Sequence, residues 1–365
     1  MIDKIKELSI TAFTKKSVHL KDTDERLQKM FEALSYSRPE IRPSRYWEEL
    51  NKMNLVQLQE YGYENFKRTI ALNYFTWVRI LPWDSQIRAL IKQLSIKVAL
   101  KNLWRALTTT KHEFFTILNP LQSVIYNFLT YMLWEFAEKN DKTSLSMVLS
   151  EPIEGNPPII EYKNRKVSQD LANSIIELNT IVEGTKNQSP KTVLELGSGY
   201  GRNAFVILNS QYGANTRYIV VDIPPALYIA EKYLSSQFPE KRIFYWREFT
   251  SYNDVATEFE QAELLFLLPN QLELLAAKSV DLIINISSLH EMRPDQIAFY
   301  LQEFDRLARE GSYCYLKQWK KGQVLFESNM VIQESDYPIP NRWNVVLWRD
   351  ALIQTKFFEP LFFIN

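Results

Sequence analysis

The chain has a single cysteine in 365 residues, Cys314, and only three histidines. One cysteine excludes an intrachain disulfide, and no Cys/His cluster can be assembled, so no metal is predicted. Neither sign of charge is in excess, with 43 Lys and Arg against 43 Asp and Glu. That balance gives no global reason to expect nucleic acid as a partner. The opening residues, MIDKIKELSITAFTKK, are charged throughout and lack an apolar core. No signal peptide is expected, and a cytoplasmic location follows as the expectation. Phe114 to Trp134 carries no charge but is interrupted by Asn119, Pro120, Gln122, Ser123, Asn127 and Thr130. From Leu121 its apolar residues fall at 121, 124, 125, 128, 129, 132, 133 and 136, one face of a helix. A spanning helix would be apolar all round. A core helix is expected instead, with docking on a membrane surface as the lesser alternative.

Glycine is scarce too, at nine residues, yet three of the nine alternate at 197, 199 and 201. They lie in VLELGSGYGR, Val193 to Arg202. Val-Leu-Glu-Leu reads as a buried strand, and Asn203 to Leu208 can start a helix. Glycine tolerates positive φ and lets a ligand approach the backbone. A strand, a glycine turn and a helix form the layout of a nucleotide-type cofactor site in an α/β sheet. The dinucleotide fingerprint wants glycine at positions one, three and six, and here position six is Arg202. Acid-x-Gly-x-Gly-x-Gly, with Glu195 as the acid, is the motif of the class I S-adenosylmethionine methyltransferases, which this chain resembles. A carboxylate at Glu195 suits an ammonium, directly or through water, and would repel a pyrophosphate. Arg217 to Asp222 is a second strand ending in an acid, where a carboxylate accepts hydrogen bonds from ribose hydroxyls. The alternative is that Asp222 caps the next helix. Pro224 and Pro225 suit that helix's first turn. Leu227, Ala230, Leu234 and Phe238 recur at helical spacing.

Residues 1–150 contain one glycine, Gly62, and read as mostly helical, with breaks near Pro39, Pro43, Pro82 and Pro120. Ile96, Ala99, Leu100, Leu103, Trp104 and Leu107 mark one apolar helix face. Lys97, Lys101 and Arg105 form a stripe opposite it. Between Ser85 and His112 stand Arg88, Lys92, Lys97, Lys101, Arg105 and Lys111 with no acid. A solvated face explains them, and a landing surface for an anionic acceptor is the sharper reading. Glu151 to Pro158 is the clearest boundary, a linker or extended turn. It divides a helical region, 1–150, from an α/β region, 151–365. Ser168 is an expected N-cap for a helix over Ser168 to Glu177. Ser168, Asp170 and Asn173 on that helix can face the cofactor or simply cap and solvate it.

Further strands are expected at Arg242 to Trp246, Leu264 to Leu268, Val280 to Ile286 and Ser312 to Gln318, where near-continuous apolar runs suit a sheet covered on both faces. A helix is expected from Pro294 to a stop at Gly311. Residues 343–349 and 357–364 read as a final antiparallel pair. Asn270 and Gln271, after the third central strand, can pair with an adenine edge or occupy an ordinary turn. The fourth central strand ends in Asn285-Ile-Ser287-Ser288-Leu289-His290-Glu291, so Asn285 and Ser287 are candidate cofactor contacts. Ligands in such sheets lie beyond the strands' carboxyl ends. A hydroxyl acceptor needs its proton removed, and a base near neutral pKa suits that. His290 is the best-placed base, with Glu291 as fallback or orienting group. A turn-capping or core histidine explains His290 equally well.

The runs SQDLANSIIE, LELGSGYGR, VVDIPPAL, LIINISSLHEM, YLKQW and DYPIPNRW together resemble the sugar O-methyltransferase family. The likeness is strong over about 150–365 and looser before. It implies a Rossmann-like class I methyltransferase sheet with helices on both faces. A mostly α-helical N-terminal domain precedes it, serving as an acceptor lid or in dimerisation. It implies S-adenosylmethionine as methyl donor and a sugar hydroxyl as acceptor, on a nucleotide sugar, polysaccharide or glycolipid precursor. Glu195, Gly197, Ser198, Gly199, Gly201, Asp222 and Ile223 would then hold the cofactor. Lys317, Trp319, Tyr337 and Trp343 would line the acceptor pocket, or pack in the core. An NAD-dependent oxidoreductase or epimerase, or a non-catalytic methyltransferase-like subunit, are the alternatives. Association into a homo-oligomer stays open.

Overall fold

The structure, a computed structural model, describes residues 24–71, 85–110, 120–323 and 330–365. The expectations placed on the first residues, Pro82, Lys111, His112 and Phe114 to Asn119 lie outside them. Helices α1 (Glu25–Ser35), α2 (Arg45–Tyr61), α3 (Ser85–Leu94), α4 (Ile96–Thr109), α5 (Pro120–Lys139) and α6 (Leu145–Val148) come first. A hairpin of β1 (Ile160–Tyr162) and β2 (Arg165–Val167) leads into α7 (Gln169–Gly184). Then follow β3 (Thr192–Leu196), α8 (Arg202–Leu208), β4 (Arg217–Val221), α9 (Ala226–Gln237), β5 (Ile243–Phe244), α10 (Ala256–Gln261) and β6 (Leu264–Leu267). The chain continues through β7 (Val280–Ile286), α11 (Pro294–Leu307), β8 (Ala308–Trp319), the small pair β9 (Lys321–Gln323) and β10 (Val331–Gln333), β11 (Trp343–Asp350) and β12 (Phe357–Ile364).

The main sheet has eight strands in the order β11-β12-β8-β7-β3-β4-β6-β5. From β5 to β8 the neighbours are parallel, and β12 runs antiparallel to both β8 and β11. The expected final pair is therefore present, with its second strand inserted between β8 and the edge. Alternate residues feed two cores, one on each face. Val193, Val220 and Ile284 enter the first with α5, α7, α8 and α9. Leu194, Ile219 and Ile283 enter the second with α10 and α11. The N-terminal helices share the first core, since Leu27, Met30, Phe66 and Trp134 belong to the same cluster as Val193 and Leu361.

Three local expectations are corrected. First, α5 is buried all round from Phe128 to Trp134 rather than along one face. It packs on α3 and α4 on one side and on α7 on the other. Its polar residues find local partners: the Thr130 hydroxyl donates to the Tyr126 carbonyl and the Asn127 amide to the Thr110 hydroxyl. No helix among the described residues is long and apolar enough to cross a membrane. Second, α11 ends at Leu307, and Gly311 lies inside β8 with φ 81°. The register against β7 jumps there, Val280 facing Ala308 and Leu282 facing Tyr313, so the glycine marks a bulge rather than a helix stop. Third, α4 is turned over. Ala99, Asn102 and Ala106 face inward while Ile96, Leu100, Leu103, Trp104 and Leu107 face solvent. Small side chains let α4 approach α5, where the Asn102 amide reaches the Met132 sulfur at 3.6 Å.

Trp134 joins the two halves of the chain. It is fully buried, and its Nε1 donates to the Ser168 carbonyl at the head of α7. Trp134→Ala is expected to cost about 3–5 kcal/mol, and Trp134→Phe about 1–2 kcal/mol through the lost hydrogen bond and smaller ring. Urea unfolding midpoints of the two variants check this.

Candidate functional site

From β3 the chain lays β4 and β6 on one side, then crosses to place β7 and β8 on the other. The carboxyl ends of β3 and β7 are thus the topological switch point, where open α/β sheets bind ligands. The glycine turn sits there. Gly197, Gly199 and Gly201 have φ of 74°, 60° and 90°. A Cβ on Gly197 would strike Ser288 Oγ at 2.5 Å, and one on Gly201 would strike Leu234 of α9 at 2.5 Å. At Gly199 a Cβ would meet nothing within 4 Å. The outer two glycines serve protein packing, and the middle one borders open space.

At this edge of the sheet two buried oxygens have no partner: Ser198 Oγ, in the turn itself, and Asn270 Oδ1, just past β6, which pairs with β4. Buried polar atoms without partners are uncommon in native folds, and a polar ligand supplies what they lack. Asp222, at the end of β4, accepts from the Gly199 N–H and the Ile223 N–H, each at 2.7 Å. Ser287 follows β7 with φ 59°, a conformation rare for a residue that bears a side chain. Its N–H donates to the Lys317 carbonyl at 2.9 Å.

Glu195 lies on the strand face that looks toward α8. It is 1% exposed, and both of its oxygens are held: Oε1 accepts from Asn203 Nδ2 and Oε2 from the Tyr218 hydroxyl, each at 2.8 Å. Behind it, Arg202 turns inward from the start of α8. Its Nη1 lies 2.7 Å from Glu177 Oε2 and donates to Ser174 Oγ. Lys317 of β8 reaches Glu177 Oε1 at 2.8 Å. Burial alone would raise the Glu177 carboxyl, but Arg202 and Lys317 hold it below the usual range. Lys317 therefore sits in a buried ion triad. Tyr337 and Trp343 pack in the second core, Trp343 also donating to Asp305. Gln271 is engaged by protein, accepting from the Leu268 N–H and donating to the Arg247 carbonyl. Asn285 is engaged as well: its amide donates to the Leu196 carbonyl and Ser288 Oγ, and its oxygen accepts from Gln318.

His290 follows β7 and is 2% exposed. It stacks on Trp319, with ring centroids 4.4 Å apart and planes 17° from parallel. The Gln318 amide is oriented by its two donations to Asn285, so its oxygen faces the His290 N–H and, at 3.0 Å, Nδ1. Two acceptors at that distance would repel, so Nδ1 carries the proton and the neutral ring keeps its lone pair on Nε2. The Trp319 N–H also points at Nδ1, but at a marginal 3.4 Å. Nε2 lies 3.8 Å from Glu291 Oε1. Sequence reasoning misses Gln318, which is separated from His290 by 28 residues and met only through the β7–β8 pairing.

The N-terminal helices cover this end of the sheet. Ser44 Oγ donates to the Glu291 carbonyl, Arg293 to the Pro39 carbonyl, and Gln296 to the Arg42 carbonyl. On the other flank Lys67 is 2% exposed and lies 2.5 Å from Glu151. Glu151 accepts from Ser168 Oγ, which also caps α7 at the Leu171 N–H. Lys67 sits over the rings of Tyr200, in the glycine turn, and Tyr233. The Tyr200 hydroxyl donates to Asp170, whose carboxyl is pushed up to about 6 by burial, against the pull of Arg202. The Glu151 to Pro158 segment is an ordered turn: the Gly155 carbonyl accepts from the Lys67 N–H, and a Cβ on Gly155 would strike Phe66. Among the described residues no group of three or more His, Cys, Asp or Glu is placed to hold a metal ion.

The sheet order, with one reversed strand beside the last parallel one, is that of a Rossmann-like α/β fold. No family model matches the chain. No curated protein sequence matches it. Among solved structures it is similar to the PH0226 protein from Pyrococcus horikoshii OT3, at 12% identity over 54% of this chain and 92% of that one, TM-score 0.39. It is similar to the Burkholderia thailandensis 1,6-didemethyltoxoflavin-N1-methyltransferase, whose structure holds 1,6-didemethyltoxoflavin and S-adenosylhomocysteine. That match is 12% identical over 54% and 79% of the two chains, TM-score 0.36. A SAM-dependent methyltransferase from Aquifex aeolicus is 15% identical over 53% and 93%, TM-score 0.32. Likenesses of this extent carry no argument about activity, which rests on the residues of the site.

Burial pushes the Glu195 carboxyl up to about 7, against the hydrogen bonds from Asn203 and Tyr218. Burial likewise pushes Asp222 up to about 7, against the Gly199 and Ile223 N–H groups. A carboxyl raised on folding keeps its proton in the native state where the unfolded chain has lost it. Its contribution is full below the unfolded value and is lost as pH rises through about 7. Glu195→Gln is therefore expected to flatten the fall in stability between about pH 4 and 8 by roughly 3 kcal/mol. Urea unfolding across that range checks this, and parallel curves for wild type and variant would contradict it.

Proposed function

We propose that the protein is an S-adenosylmethionine-dependent O-methyltransferase acting on a sugar hydroxyl. The observation that carries the cofactor half is the open space over Gly199 at the switch point, beside Asp222 and the unpartnered Ser198 oxygen, with a second unpartnered oxygen on Asn270 at the same edge of the sheet. A backbone without Cβ there lets a ligand lie against the turn. Asp222 would accept from ribose hydroxyls, with Ile223 beside it, and Asn270 Oδ1 would accept from an adenine amino group. Gly197, Ser198, Gly199 and Gly201 would follow the methionyl part. Glu195 acts from behind the turn, holding Asn203 and Tyr218, rather than as an open contact for the ammonium. Gln271 and Asn285 likewise shape the rim through their protein partners.

When bound, S-adenosylmethionine supplies an electrophilic methyl group. The chain supplies position and a base. His290 would take the acceptor hydroxyl's proton at Nε2, the nitrogen left unprotonated by the Gln318 bond to Nδ1. Glu291, 3.8 Å from Nε2, favours the imidazolium that results. The 39–44 segment over Glu291 and Arg293 would help exclude water from the acceptor. The sugar acceptor rests on the motif resemblance, with Trp319 beside His290 offering an aromatic edge for a sugar ring.

An NAD-dependent enzyme is the second reading, because Asp222 suits either ribose. Arg202 disfavours it, since the place of the fingerprint's third glycine is filled by a side chain locked to Glu177. Calorimetry with S-adenosylmethionine and with NAD separates the two: binding of the first alone is expected, and binding of NAD alone would overturn the proposal. Gly199→Ala is expected to weaken S-adenosylmethionine binding at least about tenfold, a loss of about 1.4 kcal/mol, by filling the open space. His290→Gln is expected to keep cofactor affinity and lose about 10²–10⁴-fold in turnover on a nucleotide-sugar panel. Wild-type turnover in that variant would remove His290 from the mechanism.

A further inference from the structure

Helix α4 turns its largest apolar residues to solvent. Ile96, Leu100, Leu103, Trp104 and Leu107 are 68, 62, 40, 70 and 57% exposed. On a helical wheel they share an arc of about 100°. Ala99, Asn102 and Ala106 make the buried contact on one side of that arc. The other side is basic, with Lys97, Lys101 and Arg105. Residues 85–110 contain no Asp or Glu. Glu135 on α5 lies 3.1 Å from Lys101, in an exposed pair of little energetic weight. Arg105 is turned inward, over the Tyr131 ring and onto the Glu161 carbonyl.

A solvent-facing apolar arc with a tryptophan in it, flanked by charge of one sign, suits a lipid interface. The apolar face enters the headgroup boundary while the cations meet anionic lipid. A second copy of the chain fits less well. Two-fold antiparallel pairing through this arc would set the two basic flanks against each other. We propose that α4 docks the protein on an anionic lipid surface. Leu100, Leu103, Trp104 and Leu107 enter the bilayer boundary, and Lys97 and Lys101 face the lipid phosphates. This stands apart from the methyltransferase reading, because its readout is binding.

The test is co-sedimentation of the full-length protein with vesicles, either pure phosphatidylcholine or an equal mixture with phosphatidylglycerol. Wild type is expected to sediment with the anionic vesicles and to remain in solution with the neutral ones. Leu100→Gln with Trp104→Gln, and separately Lys97→Glu with Lys101→Glu, are each expected to weaken that partition at least about tenfold. All these side chains are exposed, and unchanged unfolding midpoints would show that both variants are folded. No sedimentation of wild type, or variants that sediment like wild type, would overturn the proposal. So would light scattering that shows a wild-type dimer broken to monomer by the Leu100→Gln, Trp104→Gln variant.

Discussion

A buried guanidinium and the carboxylate that neutralises it hold the site in shape. Arg202 begins α8 directly after the glycine turn, is 8% exposed, and directs its guanidinium to Glu177 of α7. Glu177 also binds Lys317 of β8, so one carboxylate ties the helix before the first central strand, the helix after it and the fifth central strand. Taking these ions out of water is costly, and such a triad is retained less for net stability than for the arrangement it enforces. Without a carboxylate at 177, two cations would be left buried close together. The turn's outer end is thereby fixed in a position its three positive-φ glycines do not impose. Glu195 fixes the inner end through Asn203 and Tyr218.

A second buried network works from the opposite side. Lys67, Glu151 and Ser168 join the N-terminal helices to the head of α7, and Lys67 lies over Tyr200 within the turn. The glycine turn is thus gripped between a triad below and a lysine above. Open space remains at Gly199, beside Asp222 and the unpartnered Ser198 oxygen. Arg26 strengthens the same connection farther out, with a two-pronged contact to Glu231 of α9 and a bond to the Trp246 carbonyl.

Much of the sheet is legible in the sequence because buried parallel strands leave runs that few other elements produce. Val280 to Ile286 and Leu264 to Leu267 are such runs, and the glycines after Leu196 signal the turn. Side-chain engagement is less legible. Asn285 and Gln271 stand where a cofactor contact would be expected, yet their amides are held by Gln318 and Arg247, residues brought near only by folding, and by the neighbouring Ser288. Lys67 gives no signal at all, since nothing in its neighbours' spacing marks a lysine for burial. Tyr218 gives a faint one: a hydroxyl inside the strand Arg217-Tyr-Ile-Val-Val must find a buried partner.

Helix α4 shows where periodicity stops being informative. Spacing groups Ile96, Leu100, Leu103, Trp104 and Leu107 as the helix does, but Ala99, counted with them, turns to the buried side, and Lys97 and Lys101 flank the arc rather than oppose it. It does not establish which face turns inward. Two surfaces of this helix are apolar enough to pack, one of large residues and one of Ala99 and Ala106 around Asn102. Close approach to α5 selects the small one, because the neighbouring helix is itself crowded with Phe128, Tyr131, Met132 and Trp134. Large side chains on both partners would hold the axes apart and leave voids that cost contact energy. The crowding that makes α5 the centre of the helical region thus sends the bulk of α4 outward, and leaves its apolar arc beside a basic flank at the surface.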